Sequence, residues 1–238
     1  APPFSALLFH FKCLCQKIQY KTKIPVEILR LSFGCPMMRD SKTMQPSERR
    51  MDMFPCDFVK EKALAFGLHP KLKDKIFLAG GLVPWIISNE NSNRLHSDID
   101  FVVPLSEMET VRTFLKEQGL YDQTHDSLFL SCNKEKVDFG TEIFLDGLPV
   151  SFTPFFTEND NLVQRDFTTA DFSTKDSLVT LCLPNLSPED YITAYPLPDG
   201  QKLYCTSLEF VYAKKSQKNR PKDQRDLQKI KQIGLKED

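Results

Sequence analysis

Leu78-Ala-Gly-Gly-Leu-Val-Pro-Trp85, followed after a polar stretch by His96-Ser-Asp-Ile-Asp-Phe-Val-Val103, spells strand, Gly-Gly turn, helix, loop and strand. Lys75-Ile-Phe-Leu-Ala79 is an apolar run of strand length. Gly80-Gly81 lets the backbone turn sharply and lets a ligand approach its N–H groups with no Cβ in the way. Pro84 falls in the first turn of a helix expected over Leu82 to Ser88, where its missing donor costs nothing. Glycines leading from a strand into a helix can hold phosphate, because unpaired N–H groups and the helix dipole point at it. In the second strand Asp98 and Asp100 are two apart, so both side chains leave one face. Two carboxylates held together favour a cation, and hard carboxylate oxygens suit magnesium, which takes phosphate oxygens as further ligands.

The order Gly-Gly, short helix, Asp-x-Asp resembles the nucleotidyltransferase superfamily typified by DNA polymerase beta, and within it the small antibiotic and minimal nucleotidyltransferases. The resemblance is close over residues 75–104 and extends more weakly to about residue 230. Asn219-Arg-Pro-Lys-Asp-Gln-Arg-Asp226 resembles the Arg-Pro-Lys-Asp-x-x-Asp segment found late in many bacterial members. Lys214, Lys215, Arg220 and Lys222 give this end a cationic character suited to phosphate oxygens.

The resemblance implies an α/β (α+β) fold, a small mixed β-sheet flanked by helices. It implies magnesium on Asp98 and Asp100, and a nucleoside triphosphate held by Gly80, Gly81, Ser97, Lys215, Arg220 and Lys222. An acceptor hydroxyl, on a small molecule or a protein side chain, would attack the α-phosphorus. The family's third carboxylate comes from a later strand beside the Asp-x-Asp strand. The segment here, Val150-Ser-Phe-Thr153, offers Ser151 and Thr153 instead. That departure puts full two-metal catalysis in question.

Asp146-Gly147 between two apolar runs is a strong short hairpin signal. A two-residue turn there pairs Leu145 with Leu148, and therefore Glu142 with Ser151, on one face. Glu142 is accordingly the first candidate for a replacement third carboxylate, and Asp138 the second. As an alternative, Glu142 is a solvent-facing charge on an outer strand. The missing carboxylate also keeps open a different class, a nucleotide-binding regulatory protein without turnover, such as one partner of a toxin–antitoxin pair.

The chain has 238 residues and a formal net charge of −1, which gives no sign of a polyanion-binding surface, so nucleic acid is the disfavoured partner. Seven cysteines are scattered with no Cys-x-x-Cys pair, as in reduced, cytoplasmic proteins. No apolar run approaches the length of a membrane span, and the start lacks the pattern of a signal peptide. Three segments are expected: an N-terminal extension over 1–52, loosely packed or lying ahead of the natural start; a nucleotidyltransferase-like core over 53–157; and a C-terminal region over 158–238.

Phe58 to Phe66 carries apolar residues at helical intervals and stops at Gly67. Ser106-Glu-Met-Glu109 and Thr206-Ser-Leu-Glu209 read as capping boxes, the first opening a core helix with Met108, Val111 and Leu115 on one stripe. In the second helix Leu208, Val211, Tyr212 and Lys215 share a face. Ser127 to Cys132, Leu178 to Leu183 and Lys202 to Cys205 read as strands. His96 either orients a phosphate or faces water, Ser97 otherwise bonds locally, and Trp85 is expected in helix packing.

Overall fold

The structure, a computed structural model, describes residues 53–91, 93–130, 136–158, 161–165, 178–180, 188–218 and 220–234. The expected N-terminal extension, the end of the strand expected to reach Cys132 and the second half of the strand expected over Leu178 to Leu183 lie outside them. Helix α1 (Cys56–Gly67) leads to β1 (Phe77–Ala79), a one-turn helix α2 (Val83–Ile87), β2 (Ile99–Pro104) and α3 (Met108–Glu117). Strands β3 (Asp126–Leu130), β4 (Lys136–Leu145), β5 (Leu148–Glu158), β6 (Asn161–Arg165) and β7 (Leu178–Thr180) follow. The chain then forms β8 (Ile192–Pro196), β9 (Lys202–Thr206), α4 (Leu208–Lys218) and α5 (Asp223–Ile233).

All these strands join one mixed sheet, ordered β3-β4-β5-β2-β1-β9-β8, with β6 on β5 and β7 on β6. The fold is therefore the mixed α/β arrangement expected, with strands late in the chain completing the sheet beside β1: Leu78 pairs in parallel with Cys205. β6 and β8 were not anticipated, because neither Asn161-Leu-Val-Gln-Arg165 nor Ile192-Thr-Ala-Tyr-Pro196 holds a clean two-residue alternation.

The alternation along β2 positions the site. Ile99, Phe101 and Val103 are buried, and Phe101 stacks on Phe152 of β5 with centroids 5.5 Å apart. Val59, Ala63 and Phe66 of α1 and Met108, Val111 and Leu115 of α3 complete that core. With odd positions committed to the core, Asp98 and Asp100 turn to the other face.

The Asp146-Gly147 turn has positive φ at both residues, 52° and 85°, as a type I′ hairpin requires. The predicted register follows: Leu145 pairs with Leu148 and Glu142 with Ser151. Two caps differ from expectation. Ser106 does not cap α3, which starts at Met108 through a short 3-10 turn, and Glu109 is drawn to Arg112 instead. At α4 the capping oxygen belongs to Ser207, which accepts from Phe210 N at 3.3 Å, one residue later than the Thr206 expected.

Candidate active site

β2 is the hub. Ala79 of β1 pairs with Asp100 on one side, and Ser151 of β5 pairs with Asp100 on the other. Beyond Ser151 lies Glu142 of β4. One row thus runs Ala79, Asp100, Ser151, Glu142 across four strands. Asp98 and Asp100 are exposed, and Ser151 Oγ donates to Asp100 Oδ1 at 3.0 Å. Although open along one side, the Asp100 carboxyl has lost enough hydration to its neighbours that it is pushed up to about 6, with the Asp98 charge adding to the rise. Ser151, Lys215 and Lys218 pull the other way.

Glu142 is half-buried, and lost hydration raises its carboxyl. His125 lowers it again, while Asp98 and Asp100 raise it, so it shares their electrostatic environment. Strands spaced about 4.8 Å apart place its backbone roughly 10 Å from that of Asp100, with Ser151 between. Among the described residues no three His, Cys, Asp or Glu side chains form a group that could hold a metal ion. Asp138, the second candidate, is engaged elsewhere. Arg112 grips it with Nη1 at 2.7 Å and Nη2 at 2.8 Å, and its own carboxylate accepts from Gly140 N at 2.8 Å.

The two glycines divide the work differently from the sequence reading. Gly80 has φ +75°, and a Cβ there would stand 2.7 Å from Asp100 Oδ2. Gly81 does not take a positive φ. Its constraint is crowding: a Cβ would lie 2.9 Å from Asp226 Oδ2, 3.0 Å from Arg94 Nη1 and 3.2 Å from Lys215 Nζ. α2 has a single turn, so it supplies the glycines' exit and no extended dipole.

Those three atoms belong to a buried ionic cluster built by the Arg-Pro-Lys-Asp-x-x-Asp segment. Asp223 and Asp226 lie on the inner face of α5 and are fully buried. Lys215 Nζ is 3.0 Å from Asp223 and 2.7 Å from Asp226; Arg220 Nε is 2.6 Å from Asp223; Arg94 pairs with Asp226. Trp85 Nε1 donates to Asp226 at 2.9 Å, so the indole serves packing and bonding between α2 and α5. Lys215 and Arg220, read from sequence as phosphate ligands, are here partners of aspartates in their own segment. Arg220 is still half-exposed and feels the Asp98 charge. Lys222 is exposed at the start of α5 and Ser97 is half-buried. His96, expected either to orient a phosphate or to face water, is instead buried, with its Nε2 lacking a hydrogen-bond partner; burial first, and Arg94 second, depress its imidazole to about 4. Lys218, at the end of the Leu208, Val211, Lys215 face, was missed by the sequence reading, although its three-residue step from Lys215 places it on that stripe.

No family model and no curated protein matches the sequence. Among solved structures the chain is similar to the lincosamide antibiotic adenylyltransferase LnuA in its lincomycin-bound form, with a TM-score of 0.47 and 15% identity over 73% of this chain and 95% of that one. It is also similar to ANT(2″)-Ia in complex with adenylyl-2″-tobramycin, at 0.43 and 12% over 75% and 89%. An antigenic nucleotidyltransferase-like protein from Paracoccidioides brasiliensis gives 0.42 and 16% over 77% and 80%. At such identities no residue role passes from one chain to the other. Among the described residues no helix is long and apolar enough to cross a membrane.

Proposed function

We propose that the chain is a nucleotidyltransferase that moves a nucleoside monophosphate from a nucleoside triphosphate to a hydroxyl acceptor, a small molecule or a protein side chain. The observation that carries this reading is the juxtaposition of Asp98, Asp100 and Gly80. Two carboxylates share one exposed face, one of them raised by burial and by the other, beside a backbone turn that a Cβ would close. That donor set fits a hard divalent cation such as Mg2+, with Asp98 and Asp100 holding it and further positions left to phosphate oxygens. When bound, the ion would neutralise charge on the transferring phosphate.

The chain's own residues supply positioning. Ser151 hydrogen-bonds the ionised form of Asp100 and so favours the charge a cation needs. Gly80 leaves the approach to the carboxylate pair free of side-chain bulk. Lys218 and Arg220 face Asp100 and Asp98 electrostatically and suit triphosphate oxygens. Lys215 lies within reach of the same field, behind Gly81. Glu142, half-buried with a raised carboxyl, suits the proton of the acceptor hydroxyl better than a metal, because Ser151 stands between it and Asp100. The hydroxyl oxygen then bonds the α-phosphorus as pyrophosphate leaves.

A second reading rests on Ser151. A serine where a carboxylate would complete the site favours a protein that binds nucleotide without turning it over. Calorimetry with ATP, with and without magnesium, combined with a pyrophosphate assay, separates the two. Magnesium-dependent binding with pyrophosphate release in the presence of acceptor supports the transferase; binding without release supports the regulatory protein. Asp98→Asn and Asp100→Asn should keep the fold and abolish magnesium-dependent binding, and unchanged affinity in both would overturn the metal assignment.

A further inference from the structure

Asp226 is a fully buried carboxylate that collects donors from three separate parts of the chain. Its Oδ1 takes the Trp85 indole of α2; its Oδ2 meets Lys215 of α4 and Arg94 of the loop that leads into β2. The backbone of Gly81 is seated on these same Oδ2, Nη1 and Nζ atoms. Its neighbour Gly80 is seated on Asp100. A continuous set of contacts therefore runs from Asp100 through Gly80-Gly81 to Asp226, and from Asp226 through Arg94 along four residues of chain to Asp98.

Charge balance does not require Arg94 in this cluster. Lys215 and Arg220 already match Asp223 and Asp226 one for one. Taking a further guanidinium to 16% side-chain exposure costs hydration. What it adds is geometric: Glu90 at the start of the 90–98 loop already pairs with Lys229 of α5, and Arg94 adds a second ionic link nearer to Asp98. A charged, hydrogen-bonded pair of this kind holds orientation as well as distance.

We propose that Arg94 is a positioning residue, which through Asp226 fixes the loop carrying Asp98 relative to the Gly80-Gly81 turn. The role rests on the nucleotidyl-transfer reading of the Asp98 and Asp100 pair. In this role Arg94 acts through Asp226 and not on the reacting phosphate or its cation. It holds the loop end at Asp98 against the Gly80-Gly81 turn before either ligand arrives, so that binding does not have to order the loop.

The test compares the wild-type chain with Arg94→Met and Arg94→Lys, using amide hydrogen exchange and calorimetry with magnesium and ATP. In Arg94→Met the amides of residues 95–99 should exchange about tenfold faster or more, while those of α1 and α3 keep wild-type rates, and magnesium-dependent ATP affinity should fall about tenfold, as loss of one charged hydrogen bond allows. Arg94→Lys, which keeps the charge without the fork, should recover part of both. Should Arg94→Met fail to fold, Arg94→Gln is read in the same way. Wild-type exchange in the 95–99 loop, or faster exchange with unchanged ATP affinity, overturns the role of Arg94 while leaving the nucleotide reading in place. A wild-type chain that binds no nucleotide overturns that reading and this role together.

Discussion

The Ser151 hydroxyl donates a 3.0 Å hydrogen bond to Asp100 from the position directly beside it in the parallel β2–β5 pair. The bond favours the ionised carboxylate, so Ser151→Ala should move the Asp100 carboxyl further above about 6 and weaken magnesium-dependent ATP binding at neutral pH. Ser151→Asp should do the reverse in the presence of metal. Without magnesium a third negative charge lowers the melting temperature; with magnesium the midpoint should rise by more than it does in the wild type. Equal magnesium-induced rises in the two proteins would show that position 151 does not address the cation.

Glu142→Gln removes the half-buried carboxylate one strand further out. As an acceptor base its loss should cost about 10²- to 10⁴-fold in kcat with little change in KM for the triphosphate. The acid limb of the pH–rate profile should disappear with it. Combining Glu142→Gln with Ser151→Asp should restore turnover only if Glu142 acts as a metal ligand. A base function predicts no rescue.

Gly80 and Gly81 should fail in different ways. Gly80→Ala meets both a left-handed backbone and Asp100 Oδ2, so it should cost about 1–2 kcal/mol of stability and displace the carboxylate, with ATP binding falling as well. Gly81→Val drives a branched side chain into Asp226, Arg94 and Lys215, and the stability loss should exceed the binding loss in whatever folded fraction remains. Urea unfolding alongside calorimetry separates the two patterns.

Arg112 is almost fully buried and binds Asp126, Asp138, Glu109 and the Gly140 carbonyl, tying α3 to β3 and β4. Arg112→Met leaves Asp126 and Asp138 without their shared cation. The expected loss is about 3–5 kcal/mol, read as a lower urea midpoint. Tyr121, whose hydroxyl donates to Asp126 at 2.5 Å, compensates only one of the two acids.

Strong acid should weaken the α4–α5 cluster. Burial pushes the Asp223 carboxyl up, but hydrogen bonds and charge from Arg220 and Lys215 outweigh it and hold the group well below the usual carboxylate range. A folded value below the unfolded one gives stability that is fully present above about pH 4 and drains away as pH falls through the folded value. Arg220→Ala should therefore be less stable than wild type at pH 7, with the gap narrowing toward pH 2. A gap of constant size across that range would rule out the linkage.

The hairpin register was legible because Asp-Gly fixes turn type locally, and turn type fixes every pair along Thr141 to Phe152. The Asp98 and Asp100 pair was legible for the same reason, since alternation on β2 is a property of neighbours in sequence. What escaped was set by long-range partners. The cationic run at 214–222 reads as a phosphate site until Asp223 and Asp226, from the same segment, are seen to take up Lys215 and Arg220. Asp138 reads as a free carboxylate until Arg112, distant in sequence, is placed against it. The capping box at Ser106 fails because that residue lies inside the 3-10 turn that leads into α3, and its intended partner Glu109 pairs with the same arginine.

Trp85 is the single tryptophan of the chain, with its indole nitrogen on buried Asp226 and the Lys229 ammonium 5.5 Å from its ring. Indole emission shifts with the charges and donors around the ring, so the protein carries its own optical probe at the junction of α2, α5 and the loop to Asp98. Events at the carboxylate pair that disturb that junction can be followed in real time by ultraviolet fluorescence, on unlabelled protein and without altering a residue.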